Sequence, residues 1–373
     1  MAAHSRPSAL RIEQMRVYRF DLPLREPFTI ATMSLSCAEN LLVELRTNEG
    51  ISGWGEASPF RSIVGETQLI DLAAAREVRP LVLGRDPLAA GALMRDLDAH
   101  LPHNSTLKSA VDMALYDLAA KACGQPLYAY LGGRRREMET DLTIGIGDPE
   151  TAGEKAVHYL ELGFRMIKVK LGLDFKADCR RLENIRRAVG PEPVLRIDAN
   201  QGWDRTRAVR SLRAFEPFDI QFCEQPCRAD DLQGLAHVSR SAAIAVMADE
   251  SVFSAAQALE LIRQDAAPYF NIKLSKSGGI HNAQKVAHVA EAGHRPCMMG
   301  CMSESRLGVT AAAHFASANP VIEFFDLDSW YEHADNPILG GVEYQGGVMT
   351  LPDTPGLGAW PDPDYLRRLE EVE

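Results

Sequence analysis

The chain has 373 residues, enough for about two domains and a large buried core. Its 46% hydrophobic and 24% charged composition is that of an ordinary folded protein, far from disordered or collagen-like chains. Forty Lys and Arg against 51 Asp and Glu leave a net charge of −11, which argues against a nucleic-acid surface or a polybasic membrane patch.

Residues 1–11 lack the apolar core of a signal peptide and read as a flexible leader. No run approaches the roughly 18 apolar residues of a spanning helix, so a cytoplasmic location is expected. Residues 12–138 read as an α+β capping domain. Within it Leu41 to Arg46 and Ile51 to Glu56 alternate around Thr47-Asn48-Glu49-Gly50, a hairpin pattern. Ser109 to Cys123 then places Val111, Ala114, Leu115, Leu118 and Ala122 on one helical face before Gly124.

From residue 139 to 338 one theme repeats: a short apolar run ending in a polar or charged residue, then a helix-like segment. The eight runs are Leu142 to Ile146, Met166 to Lys170, Val194 to Asp198, Ile220 to Glu224, Ile244 to Asp249, Tyr269 to Lys273, Arg295 to Gly300 and Val321 to Asp326. Eight strand-plus-crossover units in series predict a modified (β/α)8 TIM-type barrel. Between them, Thr151 to Leu162 is amphipathic and stops at Gly163, and Ala255 to Ile262 follows Ser254, an N-cap residue. Residues 339–373, rich in Gly and Pro, are expected to return to the capping domain.

Seven cysteines, an odd number, fit reduced thiols better than a disulfide framework. Cys223 with Cys227 and Cys297 with Cys301 lie in or beside strand-like runs and read as buried thiols. His294 and His314 show no ligand spacing and read as structural, and Glu304 with Arg306 reads as a scaffolding pair.

In a parallel barrel the C-terminal strand ends face the active site, so the residues ending the runs should converge. Asp198, Glu224 and Asp249 end three consecutive runs. Three carboxylates side by side repel strongly, and oxygen ligands with open positions favour Mg²⁺, one per subunit. Lys168 and Lys170, spaced by two on one strand, share a face, and Lys273 lies four strands away around the ring. Crowded cations favour a lowered lysine pKa, which suits a base. Two bases facing one carbon are what inversion of a stereocentre requires.

These segments together resemble the enolase superfamily, whose sites pair a Lys or His base with Mg²⁺. Lys168-Val169-Lys170, Asp198-Ala199-Asn200, Glu224-Gln225-Pro226, Ala248-Asp249-Glu250 and Asn271-Ile272-Lys273 followed by Gly278-Gly279 are similar to the muconate-lactonizing subgroup. Gly53-Trp54-Gly55-Glu56 and Met113-Ala114-Leu115-Tyr116-Asp117 extend the match into the capping domain. The subgroup includes muconate-type cycloisomerases, succinylbenzoate synthases, acylamino-acid racemases and dipeptide epimerases. Asp326-Leu327-Asp328 resembles the Asp-x-Asp motif by which dipeptide epimerases hold the substrate α-ammonium, and it favours that activity.

The resemblance implies that Lys170 and Lys273 exchange the α-proton and that Lys168 adds positive charge near the substrate carboxylate. It implies that Thr143 and the Cys301-Met302-Ser303 segment line the substrate pocket. Phe28 to Ser36 and Phe60 to Thr67 would close over the barrel. Epimerases acting on Ala-Glu carry an arginine a few residues after a Pro-Phe pair, where this chain has Met33. Met33 with Phe28, Ile30 and Phe60 reads instead as an apolar lid, with Arg25 and Arg61 nearby as alternative cations. The expected partners are a small dipeptide substrate, with an apolar or uncharged second residue, and further copies of the chain.

Overall fold

The computed structural model describes residues 10–372, so most of the expected leader lies outside the described residues. Leu10 and Arg11 lie within them, and the Arg11 backbone N–H donates to Asn48 Oδ1 at 2.9 Å.

The capping domain begins with two long antiparallel strands, Ile12–Thr29 and Ser34–Thr47, followed by Ser52–Ala57 after the expected turn. Helix Ser105–Ala122 packs across this sheet and is buried along almost its whole length. The glycines of Gly53-Trp54-Gly55-Glu56 permit that approach: a Cβ on Gly55 would fall on the carbonyl of Ala110, and one on Gly53 on that of Ala114. Asp117 on the same helix accepts the Trp54 N–H at 2.9 Å and the Leu357 N–H at 2.8 Å, tying hairpin, helix and C-terminal tail together.

The catalytic half is an eight-stranded parallel sheet in sequential order, from Leu142–Ile144 through Met166–Lys170, Val194–Asp198, Ile220–Glu224, Ala245–Ala248, Tyr269–Ile272 and Cys297–Gly300 to Ile322–Asp326. Its two ends meet through the Asp141 N–H on the Phe325 carbonyl at 3.4 Å and the Leu327 N–H on Thr140 Oγ1 at 2.8 Å, which nearly closes the barrel. Helices cross between successive strands, including Ala152–Glu161 and Ala255–Arg263; Ser254 caps the latter with a capping box. Inside the barrel floor, Phe222, Met247 and Met298 form a separate apolar plug beneath the charged mouth.

Domain halves are joined by buried polar groups rather than by apolar contact alone. Glu56, fully buried, accepts from Asn40 Nδ2 at 2.8 Å, the Ser305 N–H at 2.8 Å and hydroxyl at 2.6 Å, and the Gly308 N–H at 3.0 Å. Those amides open barrel helix Arg306–Ala318, a favourable place for a carboxylate. The tail returns to the cap: Val372 pairs with Val17, and Met349 with Met138. All seven cysteines are free, and the four in the two spaced pairs are buried. No helix among the described residues is long and apolar enough to cross a membrane.

His314 shows what structural histidine means here. Its Nδ1 accepts the Tyr128 N–H at 3.1 Å and its Nε2 lies 3.1 Å from the Leu357 carbonyl, so cap, barrel helix and tail all close on one neutral imidazole. Burial pushes its pKa down to about 4, and the same cause takes His333 to about 4. The unfolded chain, with histidines near 6.5, therefore takes up protons first as pH falls. The histidine contribution to stability should be intact above pH 6.5 and should be lost between pH 6.5 and about 4, about 3 kcal/mol of it at His314, and it is read as the difference between wild type and His314→Gln. Chemical denaturation across pH 7.5 to 4.5 checks this, with His314→Gln expected to show a shallower slope; identical slopes would contradict it.

Candidate active site

Strand register delivers the charged side chains to one level of the barrel. Lys170 pairs with Asp198 across neighbouring strands, and Asp198 with Glu224. Asp249 and Lys273 lie one residue beyond their strand ends. Lys168, Lys170, Asp198, Glu224, Asp249, Lys273, Asp326 and Asp328 are all buried. Charges this deeply buried persist only when paired, and all but Asp328, which accepts the Thr143 N–H, have an ion-pair partner. Lys168 Nζ lies 2.5 Å from Glu224 Oε2, 2.6 Å from Asp326 Oδ2 and 3.5 Å from Asp198 Oδ2. Lys170 Nζ lies 2.7 Å from Asp198 Oδ2, and Lys273 Nζ 2.9 Å from Asp249 Oδ2.

This pairing differs from the expected lysine chemistry. Burial lowers the pKa of Lys168 and Lys273, but the facing carboxylates outweigh it and hold both ammoniums above their ordinary value, not below. The reason is geometric: Lys273 lies against Asp249 beside the neighbouring strand, and Lys168 lies against Asp198 of the neighbouring strand and against Glu224 and Asp326 two strands away on either side. The carboxylates respond individually. Burial and Asp198 push Glu224 up to about 7. Burial opposes ionisation of Asp249, yet Lys273 and Lys276 outweigh it and hold that carboxyl well below its usual range.

The carboxylate trio whose oxygens come closest together, within 4.8 Å, is Asp141, Asp326 and Asp328 rather than Asp198, Glu224 and Asp249. Lysines intervene among the latter, whereas Asp326 and Asp328 turn toward the start of the first strand. Open oxygens nonetheless lie beside the Asp198, Glu224 and Asp249 trio. Glu224 Oε2 and Asp249 Oδ2 are buried and answered only by the Lys168 and Lys273 ammoniums, while the neighbouring Glu250 Oε2 and Asn200 Oδ1 are buried and accept no hydrogen bond. Open oxygen donors beside strand-end carboxylates are what a hard cation such as Mg²⁺ takes. The other trio is answered as well, Asp141 by Arg196 at 2.8 Å, Asp326 by Lys168 and Asp328 by the Thr143 N–H at 2.7 Å, with Asp141 Oδ1 left open.

Asp326 ends the last strand, and Asp328 sits at the head of short helix Ser329–Glu332. Burial pushes the Asp326 carboxyl up, but the lysines outweigh it and set it at about 2; burial and Asp326 raise Asp328 to about 6. Cys301 Sγ lies 3.8 Å from Asp328 Oδ1. Ser303 is tied to the cap instead, its N–H donating to Ser58 Oγ at 3.2 Å and its carbonyl accepting from Asn40 at 2.8 Å. Met33, half-buried, packs with Phe28, Leu35, Ile63 and Val64 on a cluster of Ile30, Phe60 and Met302. Arg25 donates to the Tyr331 and His333 carbonyls, and exposed Arg61 shares a cavity of about 260 Å³ with Met33 and Ser303. Glu304 does not pair with Arg306; it accepts from Ser275 Oγ at 2.9 Å and from the Met302 N–H.

Several participants escape notice in the sequence. Arg196 lies two residues before Asp198 on the same strand, so the period-two rule identifies its inward face, but an arginine inside a barrel is unexpected. Asp141 precedes a strand, not ends one. Lys276 follows Lys273 by three and donates to Asp249 Oδ1 at 2.5 Å, to the Asp249 carbonyl at 2.6 Å and to the Asn271 carbonyl at 2.7 Å, fixing that carboxylate.

Known proteins resemble this chain in sequence and fold. Residues 151–365 match the family described as enolase C-terminal domain-like, and residues 13–132 match the mandelate racemase / muconate lactonizing enzyme N-terminal domain. An L-Ala-D/L-Glu epimerase of Bacillus subtilis is 40% identical over 353 residues, covering 94% of this chain and 96% of that protein. A hydrophobic dipeptide epimerase of Enterococcus faecalis is 37% identical, covering 94% and 99%. A crystal structure of a dipeptide epimerase from Cytophaga hutchinsonii, complexed with Mg and D-Ala-L-Val, superposes with a TM-score of 0.95 at 39% identity, covering 97% and 99%. The paired lysines, the carboxylates between them and these matches agree, and the chain belongs to the enolase superfamily, as an isomerase of the racemase and epimerase class.

Proposed function

We propose that the chain is a Mg²⁺-dependent dipeptide epimerase that inverts the α-carbon of the C-terminal residue. The observation that carries this reading is the placement of Lys170 and Lys273 four strands apart around one ring of buried carboxylates, with Asp326 and Asp328 at its edge. Asp326 and Asp328 would accept the α-ammonium, a charge-assisted contact that a neutral or anionic N-acyl group does not make. Thr143, whose N–H orients Asp328, and Cys301 beside it would shape that end, and Ser303 the opposite end under the cap.

The chemistry needed is removal of a weakly acidic α-proton and its return from the other face. Lys170 would act on one face and Lys273 on the other, while Lys168 would place positive charge beside the reacting carboxylate. Asp198, Glu224 and Asp249 would hold one Mg²⁺ per chain. The bound ion would supply Lewis-acid stabilisation of the charge formed on proton loss and offset the carboxylates' hold on the lysines. The relatives' names span acidic and hydrophobic dipeptides, so the second residue must be read from this chain's own lid. Met33 and its apolar neighbours support an apolar or uncharged residue, each buried methylene contributing roughly 0.8 kcal/mol.

A panel of L-Ala-L-Xaa dipeptides in D₂O with Mg²⁺ tests the reading. Deuterium should enter the C-terminal α-carbon, and exhaustive chelation should abolish the exchange until Mg²⁺ is restored. Better turnover of N-acetylated or N-succinylated amino acids would instead identify an acylamino-acid racemase.

Two substitutions follow from the geometry. Asp328→Asn should raise KM for free dipeptides, because an amide offers a desolvated ammonium no charged acceptor. L-Ala-L-Val should exceed L-Ala-L-Glu in kcat/KM by about tenfold, and Met33→Arg should narrow or reverse that ratio. L-Ala-L-Glu leading the wild-type panel would place the missing cation at Arg61.

A further inference from the structure

A cavity of about 360 Å³ opens beside the first barrel strand, between the Phe28 segment, helix Ala152–Glu161 and helix Ser329–Glu332. Arg25 and Glu26 stand exposed at its rim, and Thr143 and Tyr159 are buried in its wall. Thr143 joins this cavity to the Asp326/Asp328 site: its N–H donates to Asp328 Oδ2, and its carbonyl accepts the Tyr159 hydroxyl at 3.2 Å.

The cations lining the cavity are committed. Lys155 is ion-paired with Glu26. Arg25 donates to the carbonyls of Tyr331 at 3.2 Å and His333 at 2.9 Å, with its guanidinium 6.0 Å from the Tyr331 ring centre. Glu332 differs. Among the described residues nothing forms a hydrogen bond or ion pair with its carboxylate, although it lines the cavity. Burial and the Asp328 and Asp326 charges push its carboxyl well above the ordinary range, more than the nearby Lys170 and Lys155 offset. Asp326 is already answered by Lys168, and a single α-ammonium answers Asp328. Glu332 is the carboxylate left over.

Resting on the dipeptide-epimerase reading, we propose that this cavity receives the side chain of the substrate's N-terminal residue and that Glu332 selects a cationic one, of the lysine or arginine class. With the amine at Asp326 and Asp328, the N-terminal α-carbon lies one bond from the ammonium nitrogen, beside the wall that Thr143 shares. Phe28, Tyr159 and Tyr331 offer aromatic surface to an aliphatic stem, and the Glu332 carboxylate meets the cation at its end. An alanine methyl leaves both unused, and an acidic side chain adds an unpaired charge beside Glu332.

The test holds the second residue constant and varies the first: L-Lys-L-Val, L-Arg-L-Val, L-Leu-L-Val, L-Ala-L-Val and L-Glu-L-Val, with kcat/KM read from α-deuterium incorporation in D₂O with Mg²⁺. L-Lys-L-Val or L-Arg-L-Val should exceed L-Ala-L-Val by about tenfold or more, with L-Glu-L-Val lowest. Glu332→Gln should collapse the lysine-to-alanine ratio, and Glu332→Asp should retain part of it, which loss of folding alone would not produce. The proposal is overturned if L-Ala-L-Val or L-Leu-L-Val matches the cationic dipeptides, or if Glu332→Gln leaves the ratio unchanged. Exchange in L-Ala-L-Val without a lysine preference overturns this inference and leaves the epimerase reading standing. Absence of exchange in every dipeptide overturns both.

Discussion

Charge balance in a dry barrel mouth is the constraint on which the rest of this structure depends. Taking a single carboxylate or ammonium out of water costs several kcal/mol, and this protein buries eight such groups within one layer. The arrangement survives because register alternates sign between neighbours: Lys170 beside Asp198, Lys168 among Glu224, Asp198 and Asp326, and Lys273 against Asp249. Removing one member strands its partners, so the same contacts that permit folding dictate where a substrate's carboxylate and ammonium, and a metal ion, can be accommodated.

The scaffold around this layer is built to keep it fixed. Lys276 clamps Asp249 through both its carboxylate and its carbonyl, and Arg196 reaches Asp141 beneath the last strand. The capping domain is fastened by Glu56 at the head of a barrel helix and by Asp117 at the tail, so its loops close over the mouth from a rigid base. Rigidity where protons move and variable side chains where specificity is set is the division that strand ends and loops offer in this fold.

Much of this architecture was legible in the sequence because parallel barrel strands announce themselves. Met166–Lys170, Val194–Asp198 and Ile220–Glu224 fall where the apolar runs lie, since each run is bounded by a helix start and ends on the residue the barrel needs at its mouth. The first strand is shorter than its run, stopping at Ile144, because Gly145 to Gly147 leave the sheet to meet the Phe28 segment. What the sequence does not reveal is pairing between distant segments. Lys168 and Asp326 are 158 positions apart, and only closure of the barrel brings them together and reverses the expected lysine shift. Glu332 was illegible for the same reason: a glutamate in a short surface-like helix carries no signal until the fold turns it toward Asp328.

The central claim is that Lys170 and Lys273 address opposite faces of one α-carbon. It is tested most directly by incubating Lys170→Ala and Lys273→Ala separately with each pure stereoisomer of one dipeptide in D₂O and following the α-proton by NMR. Each variant should lose net epimerisation while still exchanging the α-proton of one stereoisomer, and the two variants should prefer opposite stereoisomers. Epimerisation at near wild-type rates by either variant, or exchange of the same stereoisomer by both, would contradict the account.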